Sequence, residues 1–321
     1  MATSRMRCLS VALGLTIAAA CLLPSTASVA QQKTLKFVPE ADLRSLDPIW
    51  TTAYITRNYG YMVYDTLFAV NEKFEVKPQM VDKWTLSDDK LTYTFTLRDG
   101  LKWHDGQPVK SADCIASVER WTKRDALGQK LAELTDAWTA VDDKTFTLKL
   151  KKPFALTLDA LAKPSSNVPF IMPERVAKTD AFTQITESIG SGPFKMVKEE
   201  WVPGSKVVYE KFKDYVPRKE PPSQAAGGKV VYVDRVESIY IPDHGVAMAA
   251  LASGELDLHE SPATDLLALV ESNPDVAVIP NDKLGYQLFM VLNHLQPPFD
   301  SKAVRPPRSR KPRASCHTSS R

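Results

Sequence analysis

Cysteine is scarce in this chain, and its placement excludes a structural framework. Of four residues, Cys8 and Cys21 lie in the first 30 positions, Cys316 lies in the last 17, and only Cys114 stands between. The body therefore has no disulfide pair available. Histidine is nearly as sparse, and His104, His244, His259, His294 and His317 share no metal-ligand spacing. GxSxG, HExxH, Walker and GxGxxG motifs are all missing, which removes the local signatures of common hydrolases, zinc proteases, nucleotidases and dinucleotide-binding enzymes. Neither a cofactor nor a metal is implied, and no positive feature supports an enzyme. No internal repeat of fixed period is present.

The chain also lacks a basic face. Lys and Arg total 41 against 38 Asp and Glu, but two of the bases lie in residues 1–30 and six in residues 305–321, where there is no acid. The residues between carry a net charge of −5. A nucleic-acid partner needs a concentrated cationic surface, and this body does not supply one.

What is present begins with an export signal. Arg5 and Arg7 precede an uncharged apolar run from Leu9 to Leu23, and Ser28 and Ala30 occupy the −3 and −1 positions of a small-residue cleavage site. The mature chain is expected to start at Gln31, in the periplasm. The run is shorter than the roughly 20 residues a membrane-spanning helix needs. Lipid anchoring through Cys21 is the weaker alternative, because Leu22 and Leu23 continue the apolar run past it. At the other end, RPPRSRKPRASCHTSSR holds no Ile, Leu, Val, Phe, Tyr or Trp and is expected to be a disordered basic tail. Its abrupt onset suggests a changed reading frame or a truncation more than a purposeful interaction tail.

Between these ends, 44% hydrophobic and 25% charged residues are enough for a buried core. Leu35 to Val38 reads as a strand, and Ile55, Tyr59, Met62, Val63 and Leu67 predict a helix over Tyr54 to Phe68. Leu91, Tyr93, Phe95 and Leu97 alternate with polar residues before Asp99-Gly100, and Leu101 and Trp103 resume, which predicts a hairpin. Ser111 is the expected N-cap of a helix through Trp121, with Cys114 as a small buried hydrophobe inside it. Val141 to Leu150 reads as another half-buried strand. Proline and glycine interrupt residues 164–192 and 216–228, which read as loops.

Further strands are expected at Phe194 to Val197, Val207 to Glu210, Val230 to Val233, Ile239 to Ile241, Leu256 to Leu258, Val276 to Ile279 and Leu288 to Leu292. Helices are expected at Val246 to Ser253 and Ala263 to Glu271. Alternation in the second half argues for α/β, and the early hairpins for α+β. Asp257, His259 and Glu260 form the densest group of metal-capable side chains, though an ordinary solvated strand end accounts for them better. Asp88-Asp89 and Asp142-Asp143 fall in turns, where carboxylates are common, rather than at an acid and base pair.

Several motifs in order carry a resemblance. The block WTLSDDKLTYTFTLRDGLKWHDGQPVKSADCIASVERW at 84–121 is the most specific. It is joined by LDPIW at 46–50, YDTLF at 64–68, GSGPF at 190–194, ALASGELDL at 250–258 and LNHLQPPFDSKAVR at 292–305. Together they resemble the family 5 extracellular solute-binding proteins, the peptide and nickel binding components of ABC importers, over about Leu35 to Val304. The resemblance implies a mixed α/β, type II periplasmic-binding-protein-like fold of two lobes, with most of the second lobe missing. Residues 31–75 and 171–285 would form the first lobe, 76–170 an inserted subdomain, and 286–304 the start of the second lobe.

It further implies a monomer that binds a peptide or similar small solute and delivers it to an ABC permease. Thr51, Thr52 and Tyr54, after LDPIW, are the candidate cleft residues, although capping and core packing account for them equally well. Two other readings compete: a fragment of such a protein that binds nothing, and a secreted hydrolase built on dispersed histidines or carboxylates.

Overall fold

Alternation writes the first sheet of the computed structural model, which describes residues 32–280 and 291–304. Tyr93, Phe95 and Leu97 of the strand Thr92–Leu97, and Phe146, Leu148 and Leu150 of Thr145–Leu150, are all buried. These strands form the centre of a four-stranded antiparallel sheet, with Val81–Leu86 and Thr135–Ala140 at its edges. Phe95 packs on Phe146 with ring centroids 5.3 Å apart and meets Phe68 edge-on at 5.8 Å. The helix Ser111–Thr122 adds Cys114, Val118 and Trp121 to the same core. Cys114 is the buried hydrophobe expected of it, and burial pushes its thiol well above the usual range.

The hairpin closes elsewhere than the sequence suggests. Thr92–Leu97 turns back on Val81–Leu86 through Ser87 to Lys90, where Asp89 accepts the Leu91 N–H at 3.0 Å. Its other edge is taken by Thr145–Leu150, so Leu101 to Trp103 has no sheet edge to join. Gly100, at φ +78°, instead carries the chain off the sheet. Ser111 is the first helical residue rather than the cap; its hydroxyl donates to the Asp142 carbonyl, and Asp113 accepts the Lys110 N–H at 2.7 Å. The strand expected from Val141 begins at Thr145, because Asp142 accepts both the Lys144 and Thr145 N–H groups at 2.7 Å and holds a turn.

A five-stranded sheet runs in the order Phe194–Met196, Lys206–Lys211, Arg235–Ile239, Thr34–Val38, Leu258–His259. Thr34–Val38 is parallel to both its neighbours, and the other pairings are antiparallel. Arg235–Ile239 replaces the strands expected at Val230 to Val233 and Ile239 to Ile241. Tyr232 is 80% exposed and lies outside the sheet, whereas Arg235 and Glu237 pair with each other on one face while Val236 and Ser238 are buried on the other. The helix His244–Ala252 starts on the Asp243 cap and stops before Gly254, at φ +77°. The helix expected over Ala263 to Glu271 is split into a 3-10 turn, Thr264–Leu266, and a short α-turn, Ala268–Glu271.

The first helix is Tyr54–Val63 and ends five residues earlier than its apolar spacing predicts. Tertiary pairing wins over periodicity here. Gly192 donates its N–H to the Val63 carbonyl at 2.9 Å, Asp65–Thr66 pairs with Phe170–Ile171, and Phe68–Val70 pairs with Val76–Pro78. The GSGPF segment is close against this helix end: a Cβ on Gly190 would lie 1.9 Å from the Val63 oxygen. His104 of the HDG turn ties into the same segment. Its Nδ1 accepts the Gly190 N–H at 3.2 Å and its Nε2 faces the Gly192 carbonyl at 3.1 Å, which suits a neutral ring. Burial, chiefly, pulls its pKa down to about 4.

These elements belong to a unit ending at Asn273; a second unit begins at Pro274. Among its described residues it forms turns, such as Phe299 N–H to the Gln296 carbonyl at 3.1 Å. The strand expected at Val276 to Ile279 is not formed, and Ile279 is 80% exposed with no sheet to cover it. Most of the strand expected at Leu288 to Leu292, the leader and the basic tail lie outside the described residues. No helix among the described residues is long and apolar enough to cross a membrane.

Candidate functional site

The loop from Pro39 to Ala53 leaves the carboxyl end of the parallel strand Thr34–Val38 and is fixed from below by a buried ion pair. Asp47 is fully buried and meets Arg120, 2% exposed, in a two-pronged contact of 2.7 and 3.0 Å. The carboxylate also accepts the N–H groups of Ile49 at 3.1 Å, Trp50 at 3.0 Å and Ile185 at 3.0 Å. The guanidinium donates to the carbonyls of Thr179 and Thr183, each at 3.0 Å. Neither buried charge is left short of partners, which is the condition for such a pair to be tolerated. The Thr51 carbonyl accepts from Asn167 Nδ2 at 3.1 Å, and the Trp50 carbonyl from Arg124 at 2.7 Å.

Above this anchor lies a cleft of about 470 Å³, lined by Ala41, Arg44, Ser45, Thr51, Gln184 and Tyr240 among others. Ala41 and Tyr240 follow the carboxyl ends of the adjacent parallel strands Thr34–Val38 and Arg235–Ile239. In open α/β sheets, ligands collect outside those strand ends. Of the three expected cleft residues, Thr51 lines this cavity; Thr52 is exposed beside it. Tyr54, 45% exposed, lies under the Arg57 guanidinium at 4.5 Å. Thr51 Oγ1 accepts the Ala53 N–H at 3.2 Å in a local turn ahead of the helix, whose N-cap position, Ala53, carries no side-chain cap.

Polar groups line the cleft and the strand ends beside it. Arg44, with its side chain 84% exposed, leans on Asp42, and Ser45 donates to Gln184 at 2.8 Å. At the neighbouring strand ends, Glu260 accepts the Glu40 N–H at 3.2 Å and Asn58 Nδ2 at 2.8 Å. Partial burial, then the Glu260 charge, raises the Glu40 pKa, so a cation arriving there would relieve repulsion. A larger cavity of about 660 Å³, on the far side of the helix Tyr54–Val63, is lined by Arg57, Tyr61, Phe194 and Lys229. It abuts the amino end of Phe194–Met196, so it lacks the strand-end placement of the smaller cleft.

Comparison with known proteins decides the family. Residues 75–306 match the model of the bacterial extracellular solute-binding proteins, family 5. The chain belongs to that family. Family 5 members are transport binding proteins rather than enzymes, which agrees with the missing catalytic motifs and removes the hydrolase reading. The family implies an extracellular or periplasmic location.

A probable peptide ABC transporter periplasmic-binding protein of Sinorhizobium fredii is 41% identical over 297 residues, covering 92% of this chain and 55% of the relative. A glutathione-binding protein of Escherichia coli O1:K1 is 26% identical over 304 residues, covering 92% of this chain and 54% of the relative. The periplasmic binding protein MoaA of A. tumefaciens R10, solved with mannopinic acid, shares the fold with a TM-score of 0.64 at 23% identity, over 84% of this chain and 53% of that one. The chain thus spans about half the length of the curated relatives it matches.

Sequence reasoning named the loop after LDPIW but missed what holds it. Asp47 and Arg120 lie 73 residues apart, and Tyr240 is farther still. A local signal was the charged Arg120 on the same helix Ser111–Thr122 whose Cys114, Val118 and Trp121 are buried.

Proposed function

We propose that this chain captures a peptide or a similar small solute in the cleft beside Thr51, Thr52 and Tyr54, for delivery to an inner-membrane ABC permease. The observation that carries this reading is the 41% identity, across 92% of the chain, to a probable peptide ABC transporter periplasmic-binding protein. The cleft supports it: an anchored loop, strand carboxyl ends and an exposed Arg44 for a solute carboxylate, with Glu40 and Glu260 at the neighbouring strand ends, outside the cleft lining, as an acidic pair for an ammonium. Wall closure over the solute is the expected switch, since only a closed form lets both walls touch it.

In this reading the protein acts as a monomer, exported with cleavage after Ala30 and without a lipid at Cys21. The division into a first lobe and an inserted subdomain is favoured by the two sheets. One draws its strands from Val81 to Leu150, the other from Thr34 to Val38 and Phe194 to His259. Calorimetric titration of the mature protein against dipeptides, oligopeptides and glutathione tests the function; saturable heat with at least one solute is expected, and silence across the panel contradicts it. The alternative, a fragment that binds nothing, draws support from Val291 and Leu295, 89% and 92% exposed, and predicts that silence together with strong uptake of an apolar dye.

A further inference from the structure

The metal-capable cluster that the sequence singles out is taken apart by the fold. Asp257 spends its carboxylate on the Lys36 N–H at 2.7 Å, and Glu260 spends its own on Glu40 and Asn58. Among the described residues, no group of three or more ligating side chains gathers in one place. What folding brings to His259 instead is His244, the first residue of the helix His244–Ala252.

The two imidazoles face each other with His244 Nδ1 3.5 Å from His259 Nε2. Their planes differ by 10° and their centroids are 5.6 Å apart, so the rings meet edge to edge with these nitrogens between them. That gap is too wide for a good N–H···N hydrogen bond, which needs about 2.7–3.2 Å. It is close to the roughly 3.3–3.4 Å that separates two nitrogens bound to one tetrahedral zinc at about 2.0–2.1 Å each. His259 is 8% exposed, and its Nδ1 is buried without a hydrogen-bond partner.

We propose that His244 and His259 form a two-imidazole site for a divalent transition-metal ion, with zinc as the representative ion and water completing its shell. His259 belongs to a strand in register with Val38, and His244 to a capped helix start, so both donors are carried on regular structure. Exposed His244 opens the site to solvent.

Zinc ion titrated calorimetrically into the full chain and into His244→Ala, with Tm read at each concentration, tests the site. His244 is exposed, so its loss leaves the fold intact, and the other histidines and the cysteines are the same in both proteins. The parent should bind zinc and gain Tm with zinc. His244→Ala should bind at least tenfold more weakly. A smaller loss, or a parent whose Tm zinc leaves unchanged, overturns the site. The readout uses no peptide, so its failure leaves the solute-binding proposal standing.

Discussion

Replacing Arg120 with Met leaves the Asp47 carboxylate fully buried with three backbone N–H donors and no counter-charge. Removing one partner of a buried pair costs about 3–5 kcal/mol, mostly the penalty of the charge that remains. At roughly 2–4 °C per kcal/mol for a domain of this size, Tm should fall by about 6–20 °C. Asp47→Leu should cost as much or more, because Ile49, Trp50 and Ile185 also lose their acceptor. The double variant Asp47→Leu, Arg120→Met removes both charges at once, so it should be more stable than the sum of the single losses predicts, by at least about 1 kcal/mol. Urea unfolding of the four proteins measures this. Additive losses, or an Arg120→Met variant within about 1 kcal/mol of the parent, would refute the view that this pair anchors the cleft loop.

The neutral His104 makes stability depend on pH. Its pKa is about 4 when folded against about 6.5 when unfolded, so its contribution is full above pH 6.5 and is lost as pH falls toward 4, by about 3 kcal/mol in total. His104→Gln should flatten that part of the pH–stability curve; an unchanged slope contradicts the assignment. Gly190→Ala places a methyl group 1.9 Å from the Val63 oxygen, so the GSGPF segment or the helix end must move. A loss of about 3 kcal/mol or more in chemical denaturation is expected, at the upper end of overpacking costs, and a loss below about 1 kcal/mol would contradict the close fit. N-terminal sequencing of the exported protein should begin at Gln31; another first residue would displace the proposed cleavage site.

Strands with one polar and one buried face were legible. Thr92–Leu97, Thr145–Leu150 and Lys206–Lys211 alternate cleanly, or carry buried valines where expected. Where both faces are buried, periodicity fails. Phe68, Ala69 and Val70 are all buried in an extended strand, yet Leu67 and Phe68 extend the helical spacing of Tyr54–Val63. Arg235–Ile239 was obscured because one face carries Arg235 and Glu237, with Arg235 paired to both Glu237 and Glu200, while the more apolar Val230 to Val233 stays outside the sheet with Val230 and Tyr232 exposed. Thr135–Ala140 was missed for a similar reason, since most of its residues are exposed at a sheet edge. The site was half legible. The loop position of Thr51 could be read, but the Asp47–Arg120 anchor, Tyr240 across the cleft and the meeting of His244 with His259 are long-range products of folding.

Thr51→Trp tests the central claim most directly, because it places an indole at a half-buried position lining the 470 Å³ cleft and leaves the Asp47 carboxylate and its partners alone. Titrated with a solute that the parent binds, the variant should lose at least about tenfold in affinity, or about 1.4 kcal/mol, while still unfolding cooperatively. Equal affinity in the two proteins would place the solute elsewhere and contradict the account.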